Sequence, residues 1–247
     1  MTQHFITGGA GFIGSHLVDQ LLNEGHGVTV YNNLVSGRSE WFQPHISKNG
    51  FRFINADLLD FDILKTSMKG QATIWHLGAN TDIPKGNKIS DLDLKNCTIA
   101  TYNVLEAMRQ NGQNELIFAS NATVYGDVPK VSLSETFGPL LPISLYGSGK
   151  VACEGLISAY CHLFGFNAWI FRFANVVGGR MGHGVIFDFI QKLKKKPREL
   201  EILGDGNQEK PYFLVEDCIS GMSYAFKHSN ESCGVYNLGN ETYTNVT

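Results

Sequence analysis

The chain has 247 residues, of which 43% are hydrophobic and 17% are charged, and its formal net charge is −3. These values exclude an intrinsically disordered chain, because they provide enough apolar side chains for a sizeable core. A slightly negative charge gives no electrostatic basis for a nucleic-acid partner, so we expect none.

The cysteines and the apolar stretches indicate in which cellular compartment the protein is expected. Five scattered cysteines without a C-x-x-C pair indicate neither a disulfide framework nor a zinc site, and a reducing compartment fits them best. The longest apolar stretch, residues 156–177, is interrupted by polar side chains and is not a simple membrane span. The first predicted strand begins at once and leaves no room for a signal peptide. We therefore expect a cytoplasmic protein with no membrane partner and no metal.

The first predicted strand, residues 5–6, leads through a glycine-rich turn into an apolar-periodic helix at residues 15–23. In two overlapping registers the turn matches G-x-G-x-x-G and G-x-x-G-x-x-G, through Gly8, Gly9, Gly11 and Gly14. Glycines suit this place because a pyrophosphate can approach the backbone closely and the helix can pack tightly on its strand. The helix N-terminus would face that pyrophosphate. A glycine turn between a strand and a helix predicts dinucleotide binding; a turn that binds nothing is the alternative.

Short apolar runs then alternate with helical patterns, which is typical of β-α units on a parallel sheet. Further strands are predicted at residues 28–31, 51–54, 73–77, 116–120 and 168–173, and long helices at 95–110 and 144–161. After residue 178 the pattern is less regular, with helices at 185–194 and 216–228 and short strands between them. We predict an α/β protein with a Rossmann-type doubly wound parallel sheet in residues 1–177 and a second domain in residues 178–247.

Ligands bind at the carboxyl ends of the strands in such sheets. Several segments fall just past predicted strands and should share one rim: residues 8–14, Asn32, Asp57, residues 77–80 and residues 120–125. A dinucleotide would lie there with its pyrophosphate over Phe12 and Ile13 and its adenosine near Asn32 and Asp57. The alternative role of Asp57 is a helix-capping carboxylate before Leu58 and Leu59.

The predicted helix at 144–161 begins with the pattern Y-x-x-x-K, formed by Tyr146 and Lys150. Chance alone produces this pattern roughly 0.5 times in such a composition, so its position carries the argument. Residues four apart share a helix face, so the Lys150 ammonium, together with a cationic nicotinamide, would lower the pKa of the Tyr146 phenol. The phenolate would then be a general base for a sugar hydroxyl. The alternative is a surface tyrosine and lysine without a function.

Residues 7–14, 119–126, 146–150 and 172–178 together resemble the extended short-chain dehydrogenase/reductase family. Within it the chain is most similar to the UDP-glucose 4-epimerase group of NAD-dependent epimerases and dehydratases, and residues 204–210 resemble that group's phosphate-contacting segment. The resemblance implies a Rossmann domain that carries NAD and a smaller C-terminal domain that binds a nucleotide diphosphate sugar, UDP-linked. It also implies a homodimer, paired through the helices at 95–110 and 144–161.

The implied reaction is a redox-neutral 4-epimerisation. Tyr146 removes the 4-hydroxyl proton, hydride passes from C4 to NAD, the transient 4-keto sugar turns over, and hydride returns to its other face. The implied catalytic residues are Tyr146, Lys150, Asn121 and Thr123. The implied cofactor contacts are Gly8, Gly11, Phe12, Ile13, Gly14, Asn32, Asn33, Asp57, Leu58, Leu77, Gly78, Ala79, Ser120, Tyr146, Lys150 and Phe173. The implied substrate contacts are Asn121, Thr123, Asn175, Val185 and Lys210.

The chain departs from the family pattern at several of these positions. Asn121 stands where a serine or threonine hydroxyl usually bonds to the reacting oxygen, and an amide cannot relay a proton as a hydroxyl does. Ser120 and Thr123 are the nearest substitutes. Cys97 replaces a frequent asparagine near the cofactor, and Lys210 replaces the usual arginine, which loses the bidentate fork.

Two departures bear on the ligands. Asn32 and Asn33 occupy the place of the acid that normally holds the adenosine ribose, so repulsion of a 2′-phosphate is lost and Arg38 would even favour one. We still predict NAD rather than NADP. The chain stops at Thr247, whereas family members continue for several tens of residues, so we expect an incomplete substrate domain. A truncated chain and a natural short form are both open.

Three functions stay open at this point. The first is a nucleotide-sugar 4-epimerase of the UDP-glucose/UDP-galactose type. The second is a nucleotide-sugar dehydratase or reductase of the same family, although 4,6-dehydratases need an acid pair where this chain has Ala122 and Thr123. The third is a catalytically silent NAD-binding regulatory protein, which Asn121 favours and the intact Tyr146 and Lys150 oppose.

Overall fold

The computed structural model describes residues 1–128, 131–202 and 209–245. Of the predicted phosphate-contacting segment at residues 204–210, residues 204–208 lie outside them. The strands are β1 (Gln3–Thr7), β2 (Gly27–Tyr31), β3 (Phe51–Ile54), β4 (Thr73–His76), β5 (Glu115–Asn121), β6 (Asn167–Phe173), β7 (Asn175–Val177), β8 (Lys210–Leu214), β9 (Cys233–Leu238) and β10 (Tyr243–Thr244).

Helices connect most of these strands. They are α1 (Phe12–Asn23), α2 (Phe61–Ser67), α3 (Ile83–Lys88), α4 (Ala100–Asn111), α5 (Leu145–Phe164), α6 (Val185–Lys195) and α7 (Val215–His228). Short 3-10 turns occupy Ser39–His45 and Ala122–Tyr125, and a π-helical turn at Leu94–Ile99 leads into α4. Helices α4 and α5 end at Gly112 and Gly165 in the left-handed conformation (φ 74° and 68°), which only glycine adopts without strain.

Seven parallel strands form one sheet in the order β3-β2-β1-β4-β5-β6-β9, and β10, β8 and β7 form a small second sheet. The strand order of the large sheet reverses between β1 and β4, since β2 and β3 are added on one side and the later strands on the other. This switch creates the crevice where ligands bind in doubly wound sheets. The predicted Rossmann-type fold is therefore confirmed.

Both faces of the large sheet are covered by apolar helix faces. Helices α2, α4 and α5 cover one face, where Leu105 and Ile157 pack with Phe118. Helices α1 and α7 cover the other, where Leu17 and Ile219 belong to a second core cluster. The inner strands β2, β1, β4, β5 and β6 are largely buried on both faces, as their continuous apolar sequences predict, whereas the edge strands β3 and β9 are only partly buried.

The structure adds elements that the sequence pattern did not predict. Helices α2 and α3 have seven and six residues, too short for a clear helical period. Strand β9 follows residue 178 in the chain but pairs with β6 in the large sheet. The division at residue 177 stays a prediction. No helix in the described ranges is long and apolar enough to cross a membrane.

Candidate active site

The glycine turn connects β1 to α1 at the carboxyl rim of the large sheet. Gly8 has a φ of 71°, and its carbonyl oxygen accepts a hydrogen bond from the Gly11 N–H at 2.8 Å. A Cβ on Gly14 would overlap the same carbonyl oxygen and lie 2.8 Å from Gly9 Cα. The first N–H groups of α1 have no carbonyl partner one turn earlier, as in any helix, so they are donors for an anion. This backbone cradle fits a dinucleotide pyrophosphate.

We expect Gly14→Ala to lower the NAD content of the purified protein at least about tenfold, because the new methyl group displaces the turn backbone from the pyrophosphate. Nucleotide released on denaturation can be measured by absorbance and chromatography. The control is Gly155→Ala, since a Cβ at that exposed glycine of α5 meets nothing within 4 Å. Equal NAD content in both variants would contradict the assignment of the turn.

The ends of β2 and β3 form the predicted adenosine side of the rim. Asn33 Nδ2 donates to Asp57 Oδ2 at 2.8 Å, and Asp57 Oδ1 accepts from the Leu59 N–H at 2.9 Å. Asn32 Oδ1 accepts from the Leu34 N–H at 2.7 Å and so closes a tight turn. The capping role considered for Asp57 is thus a local turn, because α2 begins only at Phe61 after Asp60. Asp57 follows β3, and its carboxylate contacts Asn33 after β2. Asn33 is one of the two residues at the place of the family's ribose-binding acid, so Asp57 brings a carboxylate next to that place.

The end of β4 is fixed by a buried hydrogen-bonded chain. Thr7 Oγ1 accepts from the Gly78 N–H at 3.1 Å and hydrogen-bonds His76 Nδ1 at 2.7 Å. The other ring nitrogen of His76 lies 3.0 Å from Thr101 Oγ1. Burial, and then the charge of Lys150, lower the pKa of His76 to about 3, so the ring is neutral. The predicted cofactor contacts Leu77, Gly78 and Ala79 follow directly and lie beside the glycine turn, with Leu58 packed on Gly78.

Tyr146 and Lys150 lie in the first two turns of α5, which begins after Ser144 caps the Gly147 N–H at 3.0 Å. The Lys150 side chain is buried, and its Nζ donates to the Ala119 carbonyl at 2.6 Å. The same Nζ lies 5.7 Å from the centroid of the Tyr146 ring and 4.7 Å from that of Phe118. The predicted sharing of one helix face is confirmed.

The electrostatics of the pair differ in part from the prediction. Burial raises the pKa of the Tyr146 phenol, and the Lys150 charge opposes that rise without cancelling it. The predicted lowering by Lys150 is present, but in the protein alone the net shift is upward. Burial lowers the pKa of Lys150, but Cys97 and Tyr146 outweigh burial and raise it, so the ammonium stays charged. Cys97 is buried with its Sγ 3.6 Å from Cys153 Sγ.

The polar side chains after β5 have different hydrogen-bonding states. Ser120 Oγ donates to Glu154 Oε1 at 2.5 Å, and Asn121 Oδ1 accepts from the Thr123 N–H at 2.9 Å. Thr123 Oγ1 is buried and, within the described residues, has no hydrogen-bond partner. Gly147 of α5 packs so closely on this turn that a Cβ there would lie 2.8 Å from the Thr123 carbonyl oxygen. The turn and the helix that carries Tyr146 are thus in direct contact.

The remaining predicted contacts lie on β6 and in the later part of the chain. Phe173 pairs with Asn121 at the strand ends, and its ring is buried and stacks on Phe171. Asn175 Nδ2 donates to the Pro211 carbonyl at 3.0 Å and joins β7 to β8. Val185 is the first residue of α6, and Lys210 is exposed at the start of β8.

The site prediction missed three buried side chains: Glu154, Arg172 and Tyr125. Arg172 interrupts an apolar strand that was predicted to be buried on both faces. Such a charge requires a partner, so this interruption was the available signal. Its partner is Glu154, whose carboxylate lies 2.7 Å from Arg172 Nη2.

Residues 4–239 match the model of the NAD dependent epimerase/dehydratase family. The chain belongs to this family. The predicted resemblance is confirmed, and so is the predicted cofactor, NAD. The glycine cradle and the polar groups at the ends of β2 and β3 are consistent with that cofactor.

Proteins with different activities are similar to this chain. A putative UDP-glucose 4-epimerase of Methanocaldococcus jannaschii is 33% identical over 98% of this chain and 78% of its own length. UDP-glucuronic acid decarboxylase 1 of Xenopus tropicalis is 34% identical over 95% of this chain and 55% of its own length. A crystal structure of a UDP-galactose 4-epimerase superposes with a TM-score of 0.88 at 37% identity and covers 99% of this chain and 80% of that one. The chain is therefore an enzyme-family member whose relatives catalyse more than one reaction.

Proposed function

We propose that this protein is an NAD-dependent nucleotide-sugar 4-epimerase that interconverts UDP-glucose and UDP-galactose through a transient 4-keto sugar. The observation that carries the proposal is the contact between α5, with Tyr146 and Lys150, and the turn that holds the Thr123 hydroxyl, which no described residue hydrogen-bonds. Both lie at the rim that also holds the glycine turn. A sugar hydroxyl placed between Tyr146 and Thr123 would meet a base and a hydrogen-bonding hydroxyl.

Tyr146 is the proposed acid–base group. Its phenolate takes the proton of the sugar 4-hydroxyl and returns it after the ketone has turned over. Bound NAD supplies the hydride acceptor and donor at C4. Lys150 has two proposed roles: its charge lowers the pKa of the phenol, and its ammonium donates to the cofactor's ribose. The hydrogen bond to the Ala119 carbonyl holds the ammonium for both.

Thr123 is the proposed substitute for the family hydroxyl that is missing at position 121. Ser120 is already committed to Glu154, and the side-chain oxygen Oδ1 of Asn121 is committed to the Thr123 N–H. Thr123 alone of these three has a buried side-chain oxygen without a partner in the part of the chain that the structure describes. A buried hydroxyl without a partner is costly, and a sugar hydroxyl would satisfy it.

We expect Thr123→Val to lower kcat about 10²-fold, because valine keeps the shape of threonine but cannot hydrogen-bond the reacting oxygen. Asn121→Ser is the matched comparison. If Asn121 is a functional adaptation that caps the turn, Asn121→Ser should leave kcat unchanged or lower it. A higher kcat would show that catalytic activity was lost in part through the change to asparagine at this position. Steady-state kinetics with UDP-galactose measure both. A Thr123→Val enzyme with wild-type kcat would remove Thr123 from the proposal.

The decisive experiment asks whether purified protein retains NAD and converts UDP-galactose to UDP-glucose without added cofactor. The decarboxylase relative gives one specific reason to test a second reaction, so UDP-glucuronic acid should be supplied in parallel and carbon dioxide release measured. A 4,6-dehydratase is disfavoured, because Ala122 and Thr123 occupy the place of the required acid pair. Retained NAD without turnover of either sugar would favour the silent regulatory protein.

The proposal includes a UDP-linked substrate, a cytoplasmic location and a homodimer. Apolar side chains on α4 and α5 remain exposed, among them Tyr102 at 46%, Leu163 at 67% and Phe164 at 48%. Such exposed apolar groups on two neighbouring helices are consistent with a pairing surface. Asn175, Val185 and Lys210 are proposed to contact this UDP-linked substrate, on the basis of the family resemblance.

A further inference from the structure

We propose that Tyr125, Glu154 and Arg172 are positioning residues of this enzyme. They form a buried network that fixes Thr123 relative to Tyr146. The inference rests on the proposed function, because it concerns the geometry of the proposed reaction. It assigns a role to side chains that need not contact the sugar or the cofactor.

The centre of the network is an ion pair between a helix and a strand. Arg172 of β6 donates from Nη2 to Glu154 Oε2 of α5 at 2.7 Å, and from Nε to both carboxylate oxygens at 3.2 and 3.3 Å. The side chains are only 5% and 9% exposed. A charge pair buried this deeply is held in one geometry, because removing either partner leaves an unpaired buried charge.

One arm of the network holds both ends of the turn that carries Thr123. Before the turn, Ser120 Oγ donates to Glu154 Oε1 at 2.5 Å. At its last residue, the Tyr125 hydroxyl accepts from Arg172 Nη1 at 2.9 Å and donates to Asn237 Oδ1 at 2.6 Å. The position of Thr123 is therefore set from two sides by the same ion pair.

The other arm holds the connection that leads from this turn to Tyr146. Arg172 Nη1 donates to the Glu135 carbonyl at 3.0 Å. Asn237 reinforces the same segment, since its N–H donates to Glu135 Oε1 at 2.9 Å and its Nδ2 to the Leu133 carbonyl at 2.8 Å. Glu154 itself lies on α5, one turn beyond Lys150. The network thus joins the two segments that carry the proposed catalytic groups: the turn after β5 and helix α5.

A small displacement between these segments matters for catalysis more than for folding. A misplacement of 1 Å far from the chemistry costs up to about 10²-fold in rate, because the reacting atoms lose their alignment. We therefore expect disruption of the network to lower kcat while the Michaelis constant and the NAD content stay nearly unchanged. A merely structural role would lower the thermal midpoint without that selective loss.

The test uses Tyr125→Phe, which removes one oxygen and retains the ring that Arg172 covers, with the guanidinium carbon 4.9 Å from its centroid. The matched control is Tyr160→Phe. Tyr160 is also buried on the α5 side of the sheet, and its hydroxyl donates to Glu106, which pairs with Arg109. We expect Tyr125→Phe to lower kcat for UDP-galactose at least about tenfold with KM within about twofold, and Tyr160→Phe to keep kcat within about twofold.

A double variant shows whether the effect passes through the turn. If Tyr125 acts by placing Thr123, the kcat loss of Tyr125→Phe with Thr123→Val should be smaller than the product of the two single losses. Asn237→Ala gives a second measurement if Tyr125→Phe does not fold, because it removes the acceptor of the Tyr125 hydroxyl at a half-buried position and leaves the ion pair intact. The same selective loss of kcat is expected.

Three outcomes overturn the inference. Tyr125→Phe and Tyr160→Phe with equal kcat would show that the network only contributes stability. Multiplicative losses in the double variant would show that Tyr125 does not act through Thr123. A wild-type protein without epimerase turnover would refute the proposed function and the inference with it, whereas an active wild type with unaffected Tyr125→Phe refutes the inference alone.

Discussion

We expect Tyr146→Phe to lower epimerase turnover at least about 10³-fold and to leave NAD bound. Phenylalanine keeps the ring beside Lys150 and the packing of the first turn of α5, so only the proton acceptor is lost. The measurement is kcat with UDP-galactose, combined with the NAD content of the same preparation.

A conservative control separates the loss of the base from damage to the helix. Tyr160→Phe removes a hydroxyl from the same helix at a buried position near its other end, and it should retain turnover. Full epimerase activity in Tyr146→Phe would remove the proposed mechanism, even though the family assignment would stand.

The second large effect is expected from Lys150→Met, which should lower both kcat and NAD retention. Without the ammonium, nothing at this position opposes the burial that raises the pKa of Tyr146. The phenol pKa then rises further, so less phenolate is present at neutral pH, and the rising limb of kcat against pH moves to higher pH. We expect a loss of about 10²-fold at pH 7 that shrinks as pH increases.

Lys95→Met is the matched control, because Lys95 is half exposed and pairs with Asp91 on the surface. It should leave the pH profile and the NAD content unchanged. A Lys150→Met enzyme whose rising limb stays at the wild-type pH would show that Lys150 does not lower the pKa of the phenol.

Most of the fold follows from patterns that the sequence displays openly. The strands that lead into the rim were predicted because they are short, apolar and separated by helical periods, and β3 has the predicted bounds. Helix α3 was not predicted, since a six-residue helix containing Pro84 and Gly86 has no apolar period. The helix predicted at 95–110 is present, but its first residues form a π-helical turn before α4. Strand β9 was missed as a member of the large sheet, because pairing with β6 is a long-range property that no local pattern records.

Features of the candidate site that depend on spacing along the chain could be predicted from the sequence. Features that depend on hydrogen-bond partners in the folded protein could not. The glycine turn and the shared face of Tyr146 and Lys150 follow from local geometry. The sequence could not show that Ser120 is committed to Glu154 while the Thr123 hydroxyl has no hydrogen-bond partner among the described residues, because those states depend on side chains that meet only in the folded protein. The upward shift of the Tyr146 pKa was likewise hidden, since burial is set by the whole fold.

The place of β9 links the completion of the sheet to the order of synthesis. Until residues 233–238 have left the ribosome, the backbone donors and acceptors along one side of β6 have no strand to pair with. An open edge of this kind is a template for association with other chains. Since Asn237 also belongs to β9, the hydroxyl of Tyr125 gains its 2.6 Å hydrogen bond to Asn237 only at that moment. A nascent chain would therefore pass through an interval in which its sheet edge is open to association and the hydrogen bonds around Tyr125 are incomplete, and the docking of β9 ends both conditions.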